Sequence, residues 1–222
     1  MQLPGQLEAD LEFGLFADDS GLTAQLPDFE LNLGLTREVE FDVDGTPMLS
    51  GFGAAAGPLA FSSNNLWFSL KIGLAGARQR GTERSWGVGV QLGPRVAAAA
   101  GSQGLGAEAL LLVARHWPRW SLVANAGAYQ EPPARGAPTV DRGLQAGLDL
   151  THDLTDVVGF EAELFAVVTN GVAEHQVGAS AGVAWQCNDH VAVSARVVGG
   201  LLGAGPGIGV SLGVSPSLRL WR

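Results

Sequence analysis

The sequence has one cysteine, few basic residues and no uninterrupted hydrophobic run. Its single cysteine, Cys187, excludes internal disulfide bonds and any zinc site built from cysteines. Lys and Arg number 13 against 22 Asp and Glu, and the net charge of −9 argues against binding to nucleic acid. The most apolar stretch, residues 197–218, contains seven glycines and two prolines, which is unlike a membrane-spanning helix.

Charge of either sign is scarce. Charged residues make up 16% of the chain and hydrophobic residues 46%, whereas soluble domains average about 25% charged residues. The chain is therefore too apolar to be disordered and poorly suited to face water on every side. Its 32 glycines and 11 prolines disfavour long helices and predict an all-β protein. Because no linker is visible, residues 1–222 are predicted to form a single domain.

The first residues do not resemble a secretory signal. Residues 1–5, Met-Gln-Leu-Pro-Gly, contain neither a basic segment nor an apolar core. Two interpretations are open: the protein stays inside the cell, or the sequence is a mature chain whose leader is not present. The hypothesis developed below assumes the second interpretation.

Apolar residues alternate strictly with small or polar residues along the whole chain. In residues 6–16, Leu, Ala and Phe alternate with Glu, Asp and Gly, and in residues 208–215, Ile, Val and Leu alternate with Gly and Ser. A period of two is the pattern of β-strands with two different faces. Pro27 predicts a bend or bulge in the second strand. About twelve strands are predicted, with ten not excluded, at residues 6–16, 22–35, 38–45, 64–78, 84–97, 103–115, 119–130, 139–151, 155–168, 172–186, 190–203 and 206–221.

These strands fit a transmembrane barrel better than a soluble sandwich. A soluble sheet carries abundant charge on its water face, whereas residues 86–93 and 208–215 have almost none. In a transmembrane barrel the apolar face meets lipid and the small or polar face lines a lumen. The longest predicted connections, residues 45–63 and 131–139, both lie on the side opposite a series of short turns. The predicted fold is a single transmembrane antiparallel up-and-down β-barrel of about twelve strands.

Most of the six tryptophans lie near predicted strand ends. Tryptophan is enriched where a barrel crosses the membrane–water interface, so this placement favours an aromatic girdle. The alternative is that they are ordinary core or turn residues. The six are Trp67, Trp86, Trp117, Trp120, Trp185 and Trp221.

Two runs resemble segments of Gram-negative outer-membrane β-barrels. Residues 33–41 have the pattern of strand, tight turn and strand, and residues 212–221 that of a terminal strand. In particular, the chain resembles the transporters grouped with the MetA-pathway phenol-degradation proteins. This resemblance implies a twelve-stranded barrel among outer-membrane lipids, inserted by the barrel-assembly machinery and passing small aromatic or apolar solutes. One departure is the end, Trp221-Arg222, where an aromatic last residue is expected.

Acidic residues are concentrated at the start of the chain. Residues 1–44 contain eleven acidic residues and one basic residue, Arg37. If the apolar faces meet lipid, the charged residues of the opposite faces project into the lumen. An acid-lined lumen favours cations over anions, but Lys71 and Arg196 could instead pair with the carboxylates and close it. The predicted lumen-lining residues are Glu8, Asp10, Glu12, Glu30, Lys71, Glu108, Asp149, Glu161, Glu163 and Arg196.

Catalytic motifs are weak. A hydrolytic serine needs an adjacent histidine and an orienting acid, and the nearest pair is His175 and Ser180. The glycines of residues 199–209 lack the helix and the Lys-Ser/Thr ending of a phosphate-binding loop. We therefore expect no enzyme activity, no cofactor, and no catalytic or metal-binding residue. The leading hypothesis is a channel or transporter for small molecules. The alternatives are a closed structural or interaction barrel and a soluble β-sandwich binding module.

Overall fold

The computed structural model describes residues 2–18, 21–52, 60–63, 65–76, 85–99, 101–136, 140–170, 175–203 and 207–221. Across these ranges the regular elements are β-strands, and no helix is long and apolar enough to span a membrane. The fourteen strands are β1 (Gln6–Asp18), β2 (Gly21–Gly34), β3 (Val39–Gly45), β4 (Pro47–Phe52), β5 (Ala60–Ser63), β6 (Leu66–Ala75), β7 (Ser85–Val96), β8 (Leu105–Trp117), β9 (Trp120–Gln130), β10 (Arg142–Asp153), β11 (Val158–Thr169), β12 (Gln176–Asn188), β13 (Val191–Gly203) and β14 (Ile208–Arg219).

The strands form one antiparallel sheet that closes on itself. Strand β1 pairs with β2 on one side and with β14 on the other, so the first and last strands seal the barrel. The far edge of β2 is covered first by β3 and then by β4, with Thr46 between them. Strands β5 and β6 together occupy the next position in the sheet, because β5 pairs with β4 and β6 pairs with β3. The wall of the barrel therefore has twelve strand positions, and the predicted all-β antiparallel barrel is confirmed.

Each of the twelve predicted strands is present, and two further strands appear where a loop was predicted. The loop predicted at residues 45–63 is partly wrong, because β4 pairs with residues 22–25 of β2 and β5 pairs with β4. These two strands are short, and cross-strand pairing defines them where local alternation does not. The predicted irregularity at Pro27 is confirmed: the register between β1 and β2 shifts between Glu12 and Gly14. The short turn predicted at residues 79–83 lies outside the described residues.

The distribution of apolar and polar side chains is inverted relative to a soluble protein. On β14, Leu212 is 65% exposed, whereas Ser211, the residue before it, is 2% exposed. The same inversion appears on β8, where Leu111 is exposed and Glu108 is buried. A barrel whose outer face is apolar and whose inner face is polar is suited to a lipid environment. The chain thus has the construction of an outer-membrane β-barrel rather than that of a soluble β-sandwich.

Exposed tryptophans lie at the end of the barrel that carries the turns 118–119, 154–157 and 189–190, here called the short-turn end. Trp86, Trp120 and Trp185 are each at least 43% exposed there. The Trp120 ring stacks on His152 with ring centroids 3.9 Å apart. Such a belt is typical of a membrane interface. Trp67 departs from the predicted girdle: it is 7% exposed, because its strand position places it on the inner face with Ser69 and Lys71.

Candidate lumen site

The inner faces of β1, β2 and β3 form an acidic wall. Strand pairing fixes this arrangement, because residues opposite each other in an antiparallel sheet project on the same side. On β1 and β2, Asp10 stands opposite Glu30 and Glu12 opposite Asp28. Glu30 in turn stands opposite Asp44 of β3. The concentration of acids in the first 44 residues therefore becomes a continuous patch on three adjacent strands.

Lys71 neutralises part of this wall. Its Nζ atom lies 3.3 Å from Glu30, 3.2 Å from Glu40 and 3.3 Å from Asp42. Glu40 and Asp42 are almost completely buried. Next to them, the Ser69 hydroxyl donates to Asp42 over 3.2 Å. This group, here called the Lys71 cluster, fills the sector of the lumen beside β2, β3 and β6 with polar side chains.

A second cluster lies at the outer end of the barrel, opposite the short-turn end. Arg95 on β7 forms an ion pair with Glu108 on the neighbouring strand β8. The Arg95 Nη1 atom also lies 2.5 Å from the Glu131 carboxylate, just beyond β9. Asn65 donates to Glu131 over 2.8 Å, and Gln145 donates to Glu108. Asn65, Arg95, Glu108 and Glu131 are called the outer cluster below.

The third basic side chain, Arg196, projects from β13. Its Nη2 atom lies 2.7 Å from Glu161 on β11, and its Nη1 atom lies 3.7 Å from Glu12 on β1. Asp149 and Glu163 are also within electrostatic range of the guanidinium. Carboxylates therefore outnumber the single cation in this part of the lumen.

A cavity of about 690 Å³ occupies the short-turn half of the lumen. It extends along the wall formed by β10 to β14 and β1, and at β1 it reaches the strand that neighbours the Lys71 cluster. The size is in the range of small-molecule sites. Its charged lining residues are Glu8, Asp10, Arg119, Asp153, Asp156, Glu161 and Arg196.

The ten predicted lumen-lining residues separate into groups. Four border the cavity, namely Glu8, Asp10, Glu161 and Arg196. Three more lie around Arg196, namely Glu12, Asp149 and Glu163. Glu30 and Lys71 belong to the Lys71 cluster, and Glu108 belongs to the outer cluster. The structure places seven of the ten on strands β1, β10, β11 and β13, and the other three on β2, β6 and β8, with Glu30 directly opposite Asp10 where β1 pairs with β2.

Arg95 and Glu131 were not predicted from the sequence to be lumen residues. The alternation of β7 contained a signal for Arg95, which shares the inner face with Gln91. No comparable signal exists for Glu131, because it lies beyond the end of β9 and its partners are on other strands. The weakly supported pair His175 and Ser180 has other partners: Ser180 donates to Glu163 over 3.4 Å, and His175 accepts from the Thr169 amide over 3.4 Å. Within the described ranges, His, Cys, Asp and Glu form no group of three suited to a metal ion.

Comparison with known proteins finds similarity in structure. No protein-family model matches the chain, and no curated protein matches it by sequence. An outer-membrane channel from Pseudomonas putida F1 is similar with a TM-score of 0.67 at 9% identity, over 98% of this chain and 97% of that one. The loop L8 deletion mutant of OmpT, an outer membrane protein of Vibrio cholerae, gives a TM-score of 0.51 at 11% identity, over 96% and 97% of the two chains. At these identities the likeness establishes the fold: the chain is similar to outer-membrane β-barrels over nearly its whole length.

Proposed function

We propose that the protein is a passive channel in the outer membrane of a Gram-negative bacterium, and that small cationic solutes diffuse through it. The observation that carries this proposal is the cavity inside a closed barrel, whose lining contains five carboxylates and two guanidinium groups. Low-dielectric walls concentrate the field of such charges, so cations accumulate in the cavity and anions are repelled. Glu8, Asp10 and Glu12 supply the acidic side of the passage, and Arg196 is the counter-charge.

The proposal extends to the finer family and to the environment of the barrel. We propose kinship with the transporters grouped with the MetA-pathway phenol-degradation proteins, a single-domain barrel, outer-membrane lipids around it, and insertion by the barrel-assembly machinery. Small aromatic or apolar solutes are part of the same proposal. Two phenylalanines on the inner face support it: Phe16 packs beside Gly209, and Phe165 beside Gly178. A cation with an apolar part is therefore a fitting solute.

Neutralising the acidic side of the passage tests the function. In planar bilayers under a KCl gradient, the triple variant Glu8→Gln, Asp10→Asn, Glu12→Gln is expected to shift the reversal potential toward that of an unselective pore. A matched variant changes net charge equally at exposed positions, with Glu38→Gln, Asp141→Asn and Asp189→Asn. Folding of each variant is verified by the faster migration of unboiled samples in SDS gels. A wild-type barrel that is folded but never conducts would refute the channel.

A second candidate function is a closed structural or interaction barrel. The observation that favours it is the dense packing of the Lys71 cluster, where Glu40, Asp42 and Ser69 are each at most 2% exposed. If similar pairing closes the whole lumen in the membrane, the folded barrel conducts nothing. The bilayer recording of the wild type distinguishes the two candidates directly.

A further inference from the structure

Arg196 crosses the inner surface of the barrel between two acidic partners. Strand pairing places it between Gly182 on β12 and Ser211 on β14. Its carboxylate partners are further away: Glu161 is two strands distant on one side and Glu12 two strands distant on the other. Three side chains from an arc of five strands therefore meet in the lumen. Glu12, Arg196 and Glu161 are called the Arg196 bar below.

The Arg196 bar lies at one limit of the cavity. Arg196 and Glu161 line the cavity, and on β1 the lining includes Glu8 and Asp10 but not Glu12. Glu12 is the next inner-face position of β1 beyond Asp10, toward the outer end. The cavity thus extends from the short-turn end as far as the bar. A solute that crosses the lumen along this wall must pass Arg196.

The bar is loose at the end where Arg196 meets Glu12. The distance from Arg196 to Glu12 is 3.7 Å, longer than a hydrogen bond, and the Arg196 side chain is 31% exposed. The Arg196 Nε atom and the Ser211 hydroxyl are buried and have no hydrogen-bond partner. Opposite them, the aliphatic part of Arg196 packs on Gly182, where a Cβ atom would come within 2.6 Å of Arg196 Cγ. Unused hydrogen-bonding capacity therefore remains beside the guanidinium.

The surrounding charge also favours displacement of the Arg196 guanidinium from its carboxylate partners by another cation. Besides its two partners, Arg196 has Asp10, Asp149 and Glu163 within electrostatic range. Five carboxylates around one guanidinium leave this region with excess negative charge, which attracts a second cation. A solute with N–H donors can replace the charge-assisted hydrogen bonds that Arg196 makes to Glu161. A quaternary ammonium ion, which has no N–H group, cannot.

We propose that Arg196 is a tethered cation that bars the passage and yields to permeating monovalent organic cations carrying N–H donors. This inference rests on the proposed channel function and names its solute class. Arg196 sets the specificity, because the solutes that pass most readily are those that take over its bonds to Glu12 and Glu161. Guanidinium and tetramethylammonium are suitable probes, since both are small monovalent cations and only guanidinium donates hydrogen bonds.

The test compares conductance and permeability in planar bilayers for four forms of the refolded chain. Arg196→Gln is expected to raise KCl conductance several-fold and to bring the permeability ratio of guanidinium to tetramethylammonium close to one. Arg196→Lys keeps the tethered cation and is expected to retain the wild-type preference for guanidinium. Arg37→Gln, in an exposed turn, makes the same change in net charge and is the matched control.

The outcomes separate this inference from the function on which it rests. If the wild type conducts and Arg196→Gln behaves like Arg37→Gln, the bar is refuted and the channel stands. If the folded wild type conducts neither KCl nor guanidinium and Arg196→Gln conducts, Arg196 closes the lumen without yielding to cations, and both the channel and the proposed role of Arg196 are refuted. If folded wild type and Arg196→Gln are both closed, channel and bar are refuted together.

Discussion

The side chain of Asn65 donates a hydrogen bond to the Glu131 carboxylate over 2.8 Å, although strands β7 and β8 lie between the two residues. Asn65 precedes β6 and Glu131 follows β9, so this contact draws together the outer ends of four neighbouring strands. Arg95 on β7 adds to this connection through its 2.5 Å contact with Glu131. Next to it, the Arg135 amide donates to the Gly101 carbonyl over 2.7 Å. Glu131 therefore connects the start of the segment 131–136 to Asn65 and Arg95, and the Arg135 amide connects its end to Gly101.

Removing the Glu131 charge is expected to loosen this segment. Hydrogen bonds to charged groups contribute about 1.5–3 kcal/mol each, and Glu131→Gln loses the ionic character of its pairing with Arg95. We expect faster cleavage by trypsin after Arg135 in the folded barrel, read by mass spectrometry of the fragments. Glu38→Gln, at an exposed turn of the opposite end, is the control. Equal cleavage rates in both variants would show that Glu131 does not order the segment.

Removing the cation of the Lys71 cluster is expected to lower the free energy of unfolding strongly. Lys71→Met removes the cation that the buried Glu40 and Asp42 share, and breaking a buried ion pair in this way costs about 3–5 kcal/mol. The free energy of unfolding in urea, measured in phospholipid vesicles, checks this expectation.

A compensating variant distinguishes charge from packing at this position. Adding Glu40→Gln and Asp42→Asn to Lys71→Met removes the uncompensated charges, so most of the lost stability should return. If the triple variant remains as unstable as Lys71→Met, the role of Lys71 is packing of its aliphatic chain.

The alternation of the sequence predicted the two faces of the barrel, and the reason is local. A strand residue such as Leu212 and its neighbour Ser211 must project to opposite sides, so reading one strand correctly assigns every side chain on it. Closure into a barrel then needs consecutive strands to pair, as they do from β6 to β14, and the first strand to pair with the last. The acidic wall follows in the same way, since three consecutive strands carry their acids on one face.

Contacts between strands that are not neighbours could not be predicted. The Arg196 contacts with Glu12 and Glu161 depend on the register of four strand pairings, which a single sequence does not specify. The division of the lumen into a packed side and an open side has the same origin. Strand β5, which has only four residues, is defined by its pairing with β4 rather than by its own alternation.

The lipid-facing surface can be tested with one strand. Leu212 is 65% exposed at the middle of β14, and an arginine facing lipid near the bilayer midplane costs about 2–4 kcal/mol. We expect Leu212→Arg to destabilise the barrel by this amount in phospholipid vesicles. Ser215→Arg places the same side chain on the same strand but into the cavity, where it should be tolerated. Similar stability of the two variants would mean that the exposed apolar face does not meet lipid.

Close packing of an aromatic ring on a glycine gives a prediction that does not depend on charge. Phe16 lies against Gly209 on the inner face, and a Cβ atom at Gly209 would come within 2.2 Å of the Phe16 ring. Because both residues belong to the β1–β14 seam that closes the barrel, Gly209→Ala forces the ring or the seam to move. Overpacking of this kind costs about 1–3 kcal/mol. We expect a lower temperature at which unboiled samples lose their fast migration in SDS gels. Gly159→Ala is the matched control, because its Cβ atom would meet only the His152 carbonyl at 3.7 Å. If Phe16→Leu in the Gly209→Ala background restores the transition temperature, the ring is the source of the strain; if it does not, the seam backbone is.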